Sequence, residues 1–499
     1  MSISSIGAQS ALIMQQLVQM RAKFDDLQRQ LGTGLKSDTY AGLGIDRGVT
    51  VSLNSQLSSI NAFNDTIQNV NARINLMNTA LGNMLDISSA VKAAMVQANG
   101  VSNGSGAEVA QQTGLSSLDQ LLALLNAQAG DRFLFSGRAT DQPAVETLDH
   151  ILNGDGARAG LKQLIAERNQ ADLGIDGRGR LAIGAAGPTT VQIDEDATTF
   201  GLKLASITTT VTGATTSGPA GSPASMSIDF SAIPNPGETV TLRFDLPDGT
   251  SENLTLTATT DSPPGANEFT IGTTPAQTAN NFQTAVTTSI EKLAGSALVA
   301  ASAVAASNEF FNADVNNPPQ RVNGSPPFFA ATGMVAGTTA NTVIWYTGET
   351  GTDPARSTAT ARIDQSLSVS YGARANEEAI RNLVQNVATL AAVTISPTDP
   401  NAVALSAELD QRLAVNLGNT GIQTISDIET DLASAQTSLQ AAKERHQQAN
   451  ATLSDFLQQI QGVSNEEVGA ELLTLQTRMQ ASLQVTSMLY QTSLVNYIK

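Results

Sequence analysis

Residues 422–463 read IQTISDIETDLASAQTSLQAAKERHQQANATLSDFLQQIQGV and carry the pattern that decides the fold. Apolar residues recur here at every seventh position in two interleaved series: Ile425, Leu432, Leu439, Leu453 and Ile460, and Ile428, Ala435, Ala442, Ala449, Phe456 and Val463. Two apolar series at this spacing form the seam of a coiled-coil helix. The stretch therefore predicts a long helix that needs an equally long partner.

A second stretch with the same periodicity supplies that partner. From about residue 52 to residue 98 the two series are Ile60, Ile67, Ile74 and Leu81, and Phe63, Val70, Met77, Met84 and Val91. A helix of this length is roughly 70 Å long at 1.5 Å per residue. Helices in globular proteins average about 11 to 12 residues, so we expect this one to pack along residues 422–461.

Both ends of the chain repeat the pattern. Because these seams have no neighbour in their own chain except each other, we expect them to form an assembly interface and to be buried only in a polymer. A capping sequence, Ser464-x-x-Glu467, predicts that the last helix begins separately after a break at Gly462. The predicted interface residues are Ile6, Ile13, Leu17, Met20, Phe24, Leu27 and Leu31 near the start, and Leu472, Leu475, Met479, Leu483 and Leu489 near the end.

The middle of the chain has a different pattern. Apolar and polar residues alternate around Met226–Phe230, Val240–Leu246 and Leu254–Ala258, and Asp248-Gly249 separates the last two runs, which predicts a β-hairpin. Phe282, Val286, Ile290 and Leu293 mark an amphipathic helix that would lie against this sheet. Most prolines fall in the same region, and we expect residues 215–325 to form an outward module that assembly does not require.

These patterns predict a mainly α protein with an inserted α+β region. Long antiparallel coiled-coil helices would come from both termini, with a sheet-rich outer domain inserted between them. The expected segments are 1–35 and 464–499 as terminal coiled-coil segments, 40–175 and 356–463 as a helical rod domain, and 176–355 as the inserted β-rich outer domain.

Composition favours a structural protein over a catalyst. The chain of 499 residues has no cysteine and two histidines, His150 and His446, which lie far apart in the sequence. With two histidines a catalytic triad cannot be assembled, and the absence of cysteine removes sulfur-ligated metal sites, so we predict no catalytic residues, no metal and no cofactor. His446 falls on the apolar seam, where we favour a histidine at the seam edge with one nitrogen in water over a pH-sensitive register element.

Charge and hydropathy restrict the kinds of partner that we expect for this chain. The formal net charge of -18 would repel nucleic acid and anionic membranes, so we expect neither as a partner. No apolar stretch in the sequence approaches the roughly 20 residues that span a bilayer. The first residues also lack a cationic segment followed by an apolar block, so we expect no cleaved signal peptide.

Three stretches resemble the bacterial flagellin superfamily, and within it the hook-filament junction proteins, also called hook-associated protein 3. They are 27–84, beginning LQRQLGTGLKSDTYAGLGIDRG; 124–143, LLNAQAGDRFLFSGRATDQP; and 472–499, LLTLQTRMQASLQVTSMLYQTSLVNYIK. Junction proteins typically carry a Gly-x-Phe/Tyr-Leu-Phe-x-Gly pattern after Leu-Leu-Asn, and Leu124, Leu125, Asn126, Phe133, Leu134, Phe135 and Gly137 match it. The ending Ser493 to Ile498 is also similar to the end of a junction protein.

The resemblance implies a structural subunit of the flagellum that connects hook to filament. Its terminal segments would order on assembly, and its partners would be further copies of itself in a helical or ring polymer, neighbouring hook-associated proteins, flagellin and an export chaperone. It implies an extracellular location in the flagellum, reached by the flagellar export apparatus without a cleaved signal.

The sequence is also compatible with other functions. The unusual region 215–325 also fits a filament flagellin that retains junction-like ends. A secreted coiled-coil adhesin would use the sheet-rich middle as its binding head, and a cytoplasmic coiled-coil scaffold would need no signal.

Overall fold

The computed structural model describes residues 3–99, 105–418 and 421–497. About 55% of the chain is helical and 16% is in strands, so the protein combines helices with several small sheets as predicted. The helices are α1 (Ile3–Thr33), α2 (Arg47–Asn99), α3 (Ser105–Leu125), α4 (Leu148–Asn153), α5 (Leu161–Leu173), α6 (Pro275–Leu293), α7 (Val299–Asn312), α8 (Glu378–Ala392), α9 (Ala402–Gly418), α10 (Ile425–Gln461) and α11 (Asn465–Tyr497).

The strands are short and most lie between α5 and α6. They are β1 (Gln128–Ala129), β2 (Arg132–Phe133), β3 (Leu181–Ala185), β4 (Thr190–Glu195), β5 (Lys203–Thr209), β6 (Ala214–Ala220), β7 (Ser225–Phe230), β8 (Thr239–Asp245), β9 (Ser251–Thr259), β10 (Glu268–Thr270), β11 (Gln320–Val322), β12 (Met334–Ala336), β13 (Thr360–Arg362) and β14 (Ser368–Ser370).

The chain forms two compact units. Unit 1 comprises Met1–Asn71, Arg362–Val369 and Thr437–Lys499, and unit 2 comprises Ala72–Ala361 and Ser370–Gln436. Both long helices predicted from the heptads are present, because α2 spans the predicted residues 52–98 and α10 spans 425–461.

Amide contacts show that α2 and α10 run antiparallel. In unit 1, Asn450 donates to Asn61 (3.3 Å) and His446 Nδ1 lies 3.1 Å from Asn64 Oδ1. Residues later in α2 therefore contact residues earlier in α10. In unit 2, Gln436 on α10 donates a hydrogen bond to Asn75 on α2 (2.6 Å). Because a polar residue buried in an apolar seam pairs well in one alignment only, the contact of the buried His446 with Asn64 favours this register in unit 1.

The β-rich part of unit 2 contains two four-stranded sheets that share one core. One sheet has the order β3-β4-β7-β6 and the other has the order β10-β9-β8-β5. The amphipathic helix predicted at Phe282, Val286 and Ile290 is α6, and those side chains are buried in the core shared by both sheets. Phe282 meets Phe269 edge to face with ring centroids 5.3 Å apart.

The predicted hairpin is confirmed. Strands β8 and β9 pair antiparallel with Asp245 opposite Ser251, and the turn between them contains Asp248-Gly249. Gly249 has φ +83°, a conformation that glycine adopts without strain.

Residues 215–325 do not form a self-contained module, which corrects the expectation from the sequence. Strand β7 inside this range pairs with β4 outside it, and β8 pairs with β5 outside it. The shared core also contains Leu181, Val191 and Leu204 from before the range. Alternating apolar residues identify strands, but they do not specify which strands pair.

The helix Pro275–Asn312 is an exception to the prediction that no apolar stretch is long enough to span a bilayer. Since α6, a π-helical turn at Ala294–Leu298 and α7 are continuous, the combined helix is long and apolar enough to cross a membrane by length and composition. However, its most apolar window is 67% buried inside the protein. That burial is typical of a helix in a protein core, and in unit 2 its second half packs against α5, α8 and α9.

An arginine joins α9 to the β8–β9 hairpin within unit 2. Arg412 Nε lies 3.1 Å from Asp248 Oδ2, and Arg412 Nη2 lies 2.9 Å from Glu252 Oε1. Arg412 also pairs with Glu408, one turn earlier in α9. The side chains of Arg412 and Asp248 are 7% and 3% exposed, so this ion pair is shielded from water.

Candidate assembly interface

The first and last helices of the chain pack against each other within unit 1. Leu27 from α1 and Val468 and Leu475 from α11 are buried in one small apolar cluster. Partly buried side chains of Met20, Phe24, Val463 and Leu472 surround it. Lys23 pairs with Glu471 at 3.4 Å beside the cluster, but both are more than half exposed, so apolar packing supplies most of the contact energy.

Backbone hydrogen bonds fix the end of this helix pair. Lys36 N donates to Gln461 O (2.7 Å), and Val463 N donates to Gly34 O (3.1 Å), around an antiparallel bridge between Leu35 and Gly462. The first helix ends at Thr33 because Gly34 adopts φ +70°, as glycine does after a helix. This bridge orients α1 antiparallel to α11.

The predicted break before the last helix is confirmed. Helix α10 ends at Gln461 and α11 begins at Asn465. Ser464 Oγ accepts a hydrogen bond from Glu467 N (3.3 Å), which satisfies one of the free N–H groups at the start of α11. The cap therefore marks the start of α11 as a helix separate from α10.

The predicted interface residues occupy different environments. Leu27 and Leu475 are buried, Leu31 and Leu483 are exposed, and the side chains of Ile6 and Leu489 lie outside the described residues. Ile13, Leu17, Met20, Phe24, Leu472 and Met479 are partly buried. Leu27 is 5% exposed in the single chain, which corrects the expectation that it is buried only in a polymer. The reason is that α11 of the same chain covers it.

Leu483 lies at the edge of the packed face of α11. The residues on that face are Val468 and Leu475, continued at the same spacing by Ser482, and Leu472 and Met479, continued by Thr486. Leu483 follows Ser482 by one residue, which turns it by about 100° around the helix, and it is 57% exposed. The polar residues Ser482 and Thr486 are partly buried, whereas Leu483 beside them is exposed in the single chain.

Sequence periodicity missed several exposed apolar residues on the same two helices. They are Leu12, Met14 and Val18 on α1 and Leu473 and Val485 on α11, each more than half exposed. They occur outside the heptad series, so a search for one seam passes over them. Apolar residues at the remaining helix positions are the signal that would have found them, since they give an amphipathic helix a second apolar face.

Replacing Leu27 by aspartate is expected to detach α1 from α11 in the single chain. The substitution places an unpaired charge in the buried cluster with Val468 and Leu475, at a cost of several kcal/mol. Hydrogen exchange on purified monomer should show lost protection in both helices and unchanged protection in the β-sheets of unit 2. Equal protection of α1 in the variant and the natural protein would contradict the packing described here.

His446 is more enclosed than the sequence suggested. It is 4% exposed, its ring stacks on Phe63 with centroids 5.9 Å apart, and its Nδ1 faces Asn64. Its Nε2 is buried 3.7 Å from Asp364 Oδ2, so the favoured interpretation with one nitrogen in water is wrong. The histidine is part of the α2–α10 packing in unit 1.

Within residues 3–99, 105–418 and 421–497, no group of three or more histidine, cysteine, aspartate or glutamate side chains is arranged to hold a metal ion. A groove of about 430 Å³ in unit 2 is lined by the loop after α5, including Ile175, Arg178 and Arg180. Arg180 is occupied by hydrogen bonds to Ala171 O, Asp196 and Phe329 O, so it is part of the wall.

Comparison with known proteins gives no assignment. No protein-family model matches the chain, and no curated protein matches it.

Proposed function

We propose that this chain is a structural subunit of the bacterial flagellum, the junction protein that connects hook to filament. Its terminal helices would form coiled coils with those of adjacent subunits, and its sheet-rich part would face outward. The observation that carries the proposal is the pairing of α1 with α11, which leaves further apolar side chains on the outside of both helices.

The exposed apolar residues give the helix pair a means of polymerising. Met14 and Val18 are four residues apart on α1 and therefore share one face, which lies away from the cluster around Leu27. Leu483 and Val485 are exposed on α11. Because the chain is strongly acidic, its copies repel one another at long range, and contact between them depends on burying apolar surface.

The motifs quoted above support the flagellar assignment over other polymers. The segment with Phe133, Leu134 and Phe135 resembles the junction proteins, as does the ending of the chain. On this proposal the chain leaves the cell by flagellar export with a chaperone, and its neighbours in the flagellum are hook-associated proteins and flagellin. A filament flagellin is the second candidate, since it would share the same terminal helices.

Immunogold labelling of isolated flagella with an antibody against this chain tests the proposal. A ring of label at the end of the hook supports the junction protein, and label along the shaft identifies a filament subunit. Deletion of the gene should abolish motility, and the intact gene should restore it. Full motility in the deletion strain, with label on the cell surface, would favour an adhesin and reject both flagellar roles.

Replacing Leu483 by aspartate is expected to block assembly without unfolding the monomer. Leu483 is already 57% exposed, so the charge is solvated in the single chain and thermal unfolding should change little. In a polymer the same charge would be placed in an apolar contact. Electron microscopy should show that the exported variant fails to join the hook.

A matched control for Leu483 is Ile233→Asp. Ile233 is 47% exposed and lies between β7 and β8 in unit 2. This control should assemble normally. If Leu483→Asp also incorporates at the level of the natural protein, the outer face of α11 does not contact neighbouring subunits.

A further inference from the structure

One carboxyl group is buried in unit 2 with no cation beside it. Asp410 in α9 is 2% exposed. Its hydrogen-bond partner among the described residues is the hydroxyl of Ser406, one turn earlier in the same helix, at 3.4 Å. A weak hydrogen bond to a neutral hydroxyl compensates little of the cost of burying a carboxylate.

The elements around α9 do not supply a counter-charge. Helix α9 packs against α3, α7, α8 and the π-helical turn Ala294–Leu298, which has no charged residue. The charged side chains on the helices are Glu108 and Asp119 on α3, Glu309 on α7, and Glu378 and Arg381 on α8. None of the arginines or lysines in the described parts of the chain forms an ion pair with Asp410, and Arg412 on α9 is occupied by Asp248, Glu252 and Glu408.

We propose that Asp410 is a pH-sensitive switch that keeps α9 packed when its carboxyl is protonated and loosens α9 when it ionises. Burial raises the pKa of Asp410 to about 7, against a small opposing effect of the hydrogen bond from Ser406. The native protein therefore changes its charge at this position near neutral pH, whereas a solvated aspartate does so near pH 4.

The proposed loosening of α9 affects the β8–β9 hairpin through the next residues of the same helix. Arg412 lies two positions after Asp410 and holds the β8–β9 hairpin through Asp248 and Glu252. When α9 loosens, the guanidinium is displaced from these carboxylates. Ionisation of one buried group thus weakens the contact between the helical layer and the hairpin inside unit 2.

The sign of the pH dependence follows from the raised pKa. The folded state binds the proton more tightly than the unfolded chain, so this contribution to stability is complete below about pH 4. It declines as the pH rises to about 7 and is lost above that value. Alkaline conditions should therefore loosen α9, while mildly acidic conditions should keep it packed.

The test compares the full-length natural protein with Asp410→Asn between pH 5 and pH 8.5. Asparagine has the same shape and cannot ionise. We expect the variant to unfold at a slightly higher temperature than the natural protein at pH 5, where part of the contribution is already lost, and at a much higher temperature at pH 8.5. Asp399→Asn, at an exposed position before α9, should behave like the natural protein at every pH.

Hydrogen exchange provides a second measurement that needs no substitution. After correction for the intrinsic rate, exchange in α9 and in β8–β9 of the natural protein should rise nearly tenfold from pH 5 to pH 6, where the open form is ionised and the folded form is not, and should level off above about pH 7. Exchange in these segments that is independent of pH would overturn the proposal. So would identical pH profiles of thermal unfolding in the natural protein and Asp410→Asn.

Discussion

A chain lacking residues 215–325 is expected to fail to fold in unit 2. The deletion removes nearly all of β6, together with β7 to β10, α6, α7 and β11, so that β4 loses β7 and β5 loses β8. Leu181, Val191 and Leu204 would lose the core that buries them. Exposed strand edges and apolar faces of this kind lead to aggregation.

The measurement is solubility together with cooperative thermal unfolding. The deleted protein should be insoluble or show no transition for the β-rich part. As a control, residues 262–266, an exposed turn between β9 and β10, can be replaced by a glycine and serine linker of equal length. The control should unfold like the natural protein. A soluble deletion protein with a cooperative transition would show that the sheets are separable after all.

Replacing Arg412 by methionine should destabilise unit 2 by about 3–5 kcal/mol, the usual cost of removing one partner from a buried ion pair. Methionine keeps much of the apolar stem of arginine, so the change is mainly in charge. Burial alone would lower the pKa of Arg412, but hydrogen bonding to Glu408 and the charges of Asp248 and Glu252 raise it. The guanidinium therefore stays charged, and the carboxylates around it depend on that charge.

Urea unfolding of three variants separates the contribution of charge to stability from that of packing. Arg412→Met should lower the midpoint strongly, and the double variant with Asp248→Asn should recover part of the loss because the buried carboxylate is gone. Arg178→Met is the matched control, since Arg178 pairs with Glu291 at 2.9 Å where both side chains are at least a third exposed. Exposed pairs contribute about 0–1 kcal/mol. Equal effects of Arg412→Met and Arg178→Met would show that the buried cluster is not specially stabilising.

Local patterns in the sequence predicted the individual elements well. The heptads of residues 52–98 predicted α2, and Asp248-Gly249 predicted the β8–β9 turn. Each of these signals depends on a few neighbouring residues, because helix periodicity, positive φ and tight turns are local properties of the backbone.

Long-range contacts could not be derived in the same way. Nothing in the alternation of apolar residues in β7 or β8 specifies β4 or β5 as a partner. The predicted module boundary at residue 215 therefore separates β4 from β7 in one sheet and β5 from β8 in the other. At the candidate interface, the sequence identified Leu27 and Leu475 but also assigned Leu483 to the seam. Its apolar character suggested burial, whereas in the single chain Leu483 is exposed and Ser482 beside it is partly buried. The isolated carboxyl of Asp410 depends on tertiary surroundings and has no signal in the sequence.

The bridge between Leu35 and Gly462 also sets the order in which the molecule can be completed. These residues are almost a chain length apart, so a polypeptide that emerges from its N-terminus has no partner for Leu27 until its final helix has followed. Closing so long a loop is entropically costly unless the intervening residues have already folded and brought the ends together. Any prematurely truncated copy therefore keeps an unpaired first helix, and only a finished chain can present the paired ends.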